Sequence, residues 1–302
     1  MSELANRAMI SELNISMYSA RKTDKKATNE LRAMYGITEV NAIKAGKRLL
    51  PEEAPSFKAI TQIVTKARTT FRDQTLPWND SGARILPSAN FMNCTEIFRV
   101  IETEFYTALP IFWEEWPLLK KRAEKILNGL YREEDYPSLE KLKKRFSFAL
   151  QFYPLPDAED FRADISAEAV EAIKQQIEFN TQAKVARSME EPYLRLLDGV
   201  AHMASRLQGL KECPCRNCVG KTFETDKFGD SVVNNLINLC DVLPRLNLTA
   251  DKNLDYFIEK VKIGLTPFQP DLVRSSEVVK KALADTAREI QEQMSAFFAP
   301  AA

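Results

Sequence analysis

Apolar side chains recur at three- and four-residue intervals over most of this chain, a rhythm that suits helices packed through one face. Phe57, Ile60, Ile63, Val64, Ala67 and Phe71 mark one helix over Pro55 to Gln74. Phe91, Cys94, Ile97, Phe98, Ile101, Phe105 and Ala108 mark a longer one, capped by Ser88 and reaching about Leu127. Pro110 and Pro117 interrupt it, so a kink or break is expected there. Ser166 can cap a second long helix that carries Val170, Ile173 and Ile177, passes Pro192 and continues to Leu207. Two long helices joined by an excursion suit an antiparallel stalk. The C-terminal stripes run through Val233, Leu236, Ile237 and Cys240, then Leu254, Phe257, Ile258 and Val261, then Val278 to Phe297.

The β signals are fewer. Leu13, Ile15 and Met17 alternate with polar neighbours as in a strand, and Thr23 or Asp24 can cap a short helix that Gly36 ends near Tyr35. A second short helix is expected over Glu39 to Ala45, ending at Gly46. Asn79-Asp80-Ser81-Gly82 is turn chemistry between the flanks of a hairpin around Trp78. A short basic helix fits 138–146, and alternation in 147–165 suggests an antiparallel strand pair. The expected fold is mainly α (α+β): a long antiparallel helical stalk, a small mixed β part and a C-terminal helical set. The expected division is 1–87, a basic α+β part; 88–210, the stalk with its strand pair; and 211–302, a Cys-containing loop and the last helices.

Composition narrows the chemistry. One histidine excludes histidine-pair catalysis within the chain, and no Gly-x-Ser-x-Gly elbow is present. Gly220-Lys221-Thr222 resembles the end of a phosphate-binding loop, but Cys215 stands where the first glycine belongs. Paired carboxylates such as Glu114/Glu115 and Glu190/Glu191 lie among Lys and Arg and read as solvated faces. An enzyme is therefore not the expectation. No segment is apolar enough to span a membrane, and Met1 to Ile10 lacks the apolar core of a leader. The five cysteines read as reduced thiols in a cytosolic setting. Cys213, Cys215 and Cys218, with His202 or Cys240 as the fourth ligand, could close a tetrahedral zinc site, the only cofactor the chain suggests.

Formal net charge is zero, yet residues 1–90 hold 14 Lys/Arg against 9 Asp/Glu, and the remainder holds 28 against 33. Arg21, Lys22, Lys25 and Lys26 cluster at a strand-to-helix junction, and Arg68, Arg72 and Arg84 bracket the Trp78 turn. Cations along a groove can track phosphates, and an aromatic face can stack on an unpaired base. These eight residues, Trp78 included, are the candidate nucleic-acid contacts.

Leu13-Asn14-Ile15-Ser16-Met17-Tyr18-Ser19-Ala20-Arg21-Lys22, Thr75-Leu76-Pro77-Trp78-Asn79-Asp80, Pro154-Leu155-Pro156-Asp157 and Leu243-Pro244-Arg245-Leu246-Asn247 are similar to segments of an uncharacterised family of bacteriophage and prophage proteins. The resemblance implies a mobile-element origin and a host-cytoplasmic setting, carries no activity, and does not include the cysteine cluster. The resulting expectation is a non-enzymatic, DNA-associated protein that binds single strands and self-assembles into a homo-oligomer. Two alternatives stand beside it: a scaffold, adaptor or inhibitor, including an anti-defence protein, bound to a host or phage protein; and a zinc-stabilised module.

Overall fold

A computed structural model describes residues 3–161, 163, 165–208, 210–212, 222–224 and 228–298. In chain order the elements are α1 (Glu3–Arg7), β1 (Ala8–Ser16), β2 (Arg21–Thr23), α2 (Lys25–Met34), β3 (Gly46–Arg48), α3 (Pro55–Gln74), β4 (Leu76–Pro77), β5 (Arg84–Pro87), α4 (Phe91–Leu127), α5 (Leu139–Lys143), β6 (Ser147–Pro154), α6 (Ala167–Ser188), α7 (Glu190–Leu207), β7 (Leu210–Glu212), β8 (Thr222–Glu224), α8 (Asp230–Leu246), α9 (Lys252–Leu265), α10 (Pro270–Ser275) and α11 (Glu277–Phe298). The protein is thus mainly α with a little β. One sheet has the strand order β4-β5-β1-β6, and β2-β3 and β7-β8 form separate two-stranded ribbons.

The chain divides into two compact units built from non-consecutive segments, a partition that cuts across the three consecutive parts expected from sequence. The first unit comprises Met1–Ser11, Arg72–Met92 and Phe152–Ala302. There α7 packs against α8, α9 and α11, so its neighbours come from the C-terminal set. Leu196, Val200 and Met203 of α7, Leu236 and Leu243 of α8, Val261 of α9 and Ile290 of α11 are buried together. Gly199 lets α7 and α8 approach closely, because a Cβ there would stand 3.2 Å from a methyl of Leu236 and of Leu239. Ala8 to Ser11 pairs antiparallel with Pro87 to Arg84, and β5 in turn with β4. The turn between β4 and β5 closes through Gly82 at φ +102°.

The second unit comprises Glu12–Phe71 and Asn93–Gln151. Its core is aromatic. Phe57 of α3 meets Phe112 of α4 at 5.4 Å between ring centroids, Phe71 meets Phe98 at 6.0 Å, and Phe112 also contacts Trp116 and Phe146. Asp24 caps α2 by accepting from the Ala27 N–H, and Gly36 follows the helix at φ +63°.

Several expectations need correction. The 37 residues of α4 run without interruption through Pro110 and Pro117. Each proline removes one helical N–H, but buried Leu109, Phe112, Trp116 and Leu119 hold the face on either side. Ser88 does not cap α4; it opens a 3₁₀ turn, and its hydroxyl donates to the Asn6 carbonyl at 3.3 Å. No helix forms over Glu39 to Ala45. Ala45 is instead held by hydrogen bonds with Asp24 and Thr28, which lead the chain extended into β3. Phe161, Ala163 and Ile165 are not in a strand, so the 147–165 pair is absent among the described residues. Asp157 caps a 3₁₀ turn at Ala158–Asp160, and β6 lies beside β1. Around the expected Cys-containing loop, β7 and β8 pair as a ribbon.

Candidate functional site: a cationic ribbon

The chain leaves β1, bends at Ala20 (φ +52°) and enters β2. β2 and β3 then pair antiparallel, with Arg21 opposite Arg48, Lys22 opposite Lys47, and Thr23 opposite Gly46. Leu49 N–H donating to the Ala20 carbonyl at 2.8 Å extends the pairing. Side chains alternate across a strand, so the two lysines share one face and the two arginines the other.

The lysine face is neutralised from within. The Lys47 ammonium is buried, 2.8 Å from Asp24 Oδ2 and 2.7 Å from Asp135 Oδ2, and donates to the Leu130 carbonyl at 2.7 Å. Lys22 donates to Asp135 Oδ1 at 2.6 Å. Tyr136 donates to the Leu49 carbonyl at 2.9 Å. Lys47, with the Ala27 N–H, holds the Asp24 carboxyl down to about 2. Burial by itself would raise Asp135, but hydrogen bonds from Lys22 and Lys47 outweigh it and leave the group below the ordinary carboxylate value. Burial would likewise lower Lys47, and the same carboxylates outweigh that and raise it.

These directions fix a pH dependence. Two carboxyls lowered in the folded state contribute stability above their ordinary pKa and lose it as pH falls through the lowered values. Lys47, raised, contributes below its ordinary value and loses that contribution only in strong alkali. The denaturant midpoint of the second unit is expected to stay level between roughly pH 5 and 8 and to fall between about pH 4 and 2. Tryptophan fluorescence in a Trp78→Phe background reads it, because the two remaining tryptophans, Trp113 and Trp116, lie in that unit. A midpoint already falling at neutral pH would refute this account.

The arginine face is different. Arg21 and Arg48 are exposed, and among the described residues no carboxylate pairs with either. Like charges directly opposite each other on a ribbon are destabilising. A concavity of about 350 Å³ lies at the ribbon, and a Cβ at Gly46 would meet nothing within 4 Å. The ribbon therefore presents two uncompensated guanidinium groups on an open surface, which suits a bound anion such as phosphate.

The sequence-derived candidates divide between the units. Arg21, Lys22, Lys25, Lys26 and Arg68 belong to the second. Lys25 and Lys26 are exposed in the first turn of α2, with Lys26 4.0 Å from Glu30, and Arg68 is exposed on α3. Arg72, Trp78 and Arg84 belong to the first. Arg84 is a structural group. Its guanidinium donates to Thr75 Oγ1 at 2.7 Å and to the Thr75 carbonyl at 3.0 Å, and it pairs with Glu191 at 3.2 Å. Arg195 also pairs with Glu191 and donates to the carbonyls of Arg72 at 2.6 Å and Asp73 at 3.0 Å. The two arginines thereby satisfy carbonyls that the end of α3 leaves open. Trp78 is half-buried against the core and carries Lys184 Nζ 4.5 Å from its ring centroid, so one face is occupied.

Arg48 completes the candidate site and is not among the eight contacts chosen from sequence, although it belongs to the same basic amino-terminal third. Its signal was the pair of basic dipeptides Arg21-Lys22 and Lys47-Arg48, which an antiparallel ribbon sets face to face. Cys213, Cys215 and Cys218 lie outside the described residues. His202 is exposed on α7, where its carbonyl accepts from the Ser205 hydroxyl at 3.0 Å. Burial pushes the Cys240 thiol up to about 11 and the Cys94 thiol up to about 12, leaving both neutral at ordinary pH. No described helix is long and apolar enough to cross a membrane. Comparison of the chain with protein-family models, curated proteins and solved structures gives no match.

Proposed function

We propose that this is a nucleic-acid-associated protein, not an enzyme, that grips the phosphate backbone through the β2-β3 ribbon. The observation that carries this reading is the cross-strand pair Arg21 and Arg48, exposed and without an acidic partner among the described residues, above lysines already tied to Asp24 and Asp135. A self-repelling pair gains stability when an anion bridges it, and a guanidinium is well shaped for two phosphate oxygens. Lys25 and Lys26 follow the ribbon directly and add two exposed charges at its end. Contacts of this kind position a backbone without reading bases. The Lys184 contact on Trp78 favours phosphate binding over base stacking there.

Fluorescence anisotropy with a labelled single-stranded oligonucleotide tests the proposal. Binding is expected at low ionic strength and should weaken with added salt, with a log–log slope of roughly −2 to −4. Replacing Arg21 and Arg48 together by alanine should reduce affinity about tenfold or more and flatten the slope by about 1–2. Replacing Arg84 should lower stability without changing the slope. If the oligonucleotide does not bind at low salt, or the double variant binds like the parent, the proposal is wrong.

A further inference from the structure

A further group of cations lies beside the end of the ribbon at which Arg21 and Arg48 stand. Tyr18, just ahead of Arg21, is buried, and the Arg145 guanidinium lies over its ring, 5.6 Å from the centroid. Lys144 and Arg145 follow α5 directly, and both are exposed. Among the described residues neither has an acidic partner; Glu140, in the first turn of α5, is not within ion-pair distance of Lys144. Lys143 is turned instead to the Trp113 ring at 4.8 Å. Burial raises the Tyr18 hydroxyl above the ordinary phenol value, so no negative charge arises beneath Arg145 to neutralise it.

The packing under this group leads back to the ribbon. Tyr18 meets Trp116 edge to face at 5.6 Å, and Trp116 meets Tyr136 at 6.1 Å. Tyr136 in turn donates to the Leu49 carbonyl, next to Arg48. Asp135, the acid on this side, is already paired with Lys22 and Lys47. At most about 10 Å of chain separates Tyr18 from Arg21. The register puts Thr23 and Gly46 at the ribbon's opposite end, where Lys25 and Lys26 begin α2. Exposed cations therefore follow one another past the ribbon: Lys25 and Lys26, then Arg21 and Arg48, then Arg145 and Lys144.

We propose that Arg145 and Lys144 form a second phosphate anchor, onto which a single nucleic-acid strand runs from the ribbon past Ala20. The inference rests on the ribbon reading and adds to it a path and a length. Three ribbon residues at ~3.3 Å each, with the segment back to Tyr18, give roughly 20 Å, or about four to six nucleotides at ~3.4 Å or more apiece. An extended strand meets such a row one phosphate after another, whereas a free phosphate would fill only one position. Arg145 is preorganised for this, because the Tyr18 ring holds its guanidinium from one side and leaves its edge to the anion.

Anisotropy with a labelled thymidine octamer, titrated at several salt concentrations, is the test. Arg145→Gln with Lys144→Gln should weaken binding about tenfold and flatten the log–log salt slope by about 1.4, since a single strand gives about 0.7 per phosphate. Its circular dichroism melt should match the parent's, as both side chains are exposed. Arg145→Lys, which keeps the charge, should retain the parent's slope. Lys66→Gln with Arg99→Gln removes two cations roughly 18–25 Å along α4 from Trp116 and should leave the slope within about 0.3 of the parent's. A double Gln variant at 144 and 145 that binds like the parent would overturn this anchor and leave the ribbon reading standing. A distant variant that flattens the slope equally would also overturn it, because net charge alone would then explain the loss. An octamer that does not bind at low salt would sink both.

Discussion

Lys47→Met is expected to melt the second unit on the order of 10 °C or more below the parent. The substitution keeps most of the aliphatic stem and removes the charge. The Asp24 and Asp135 side chains, each 3% exposed, would then keep their negative charges without the ammonium between them. Breaking a buried pair by deleting one member is costly because the other is left uncompensated, whereas neutralising both sides is cheaper. A rescue should therefore exist: adding Asp24→Asn and Asp135→Asn to Lys47→Met should recover much of the loss, since asparagine still caps α2 through its side-chain oxygen. Lys22→Met should cost much less, as its side chain is 51% exposed and water already serves it. The Trp113 and Trp116 fluorescence melt reads all of these. A Lys47→Met protein that melts like the parent would show that the lysine does not hold the two acids.

Phe112→Ala should destabilise the second unit by about 4 kcal/mol. The ring is fully buried and meets Phe57 of α3, Trp116 on its own helix and Phe146 before β6 at 5.4, 5.7 and 5.8 Å. Truncation removes apolar area and leaves a cavity among rings that cannot all close upon it. Ile126→Ala, on the same helix but 65% exposed, is the control and should stay within about 0.5 kcal/mol. Urea unfolding of both variants measures the difference. Equal midpoints would mean that Phe112 is not part of the core of this unit.

Features governed by neighbours in sequence were legible. Asp24 caps α2 and Ser166 caps α6, each accepting from the N–H three residues on, and Pro55 to Gln74 is one helix because its apolar residues keep a single phase. Asn79 to Gly82 turns between β4 and β5, since its side-chain acceptor and its positive-φ glycine close the loop locally. The ribbon was not legible. Arg21-Lys22-Thr23 and Gly46-Lys47-Arg48 contain no apolar alternation, and their pairing is fixed by a lysine that reaches Asp135, far along the chain. Arg84 looked like a surface cation because nothing near it in sequence announces Glu191 or the open carbonyls at the end of α3.

The sequence by itself determined where the long helices run and that positive charge concentrates near the amino end. Apolar spacing, caps and turn residues act within a few positions, so those features needed no fold to express them. Tertiary structure decided which of the cations are spent inside the protein. Lys47 and Arg84 are bound by Asp24, Asp135 and Glu191, while Arg21 and Arg48 stand opposite each other with no acid beside them among the described residues. Whether a charge is neutralised depends on which carboxylate lies within a few ångströms, and chain folding sets that distance.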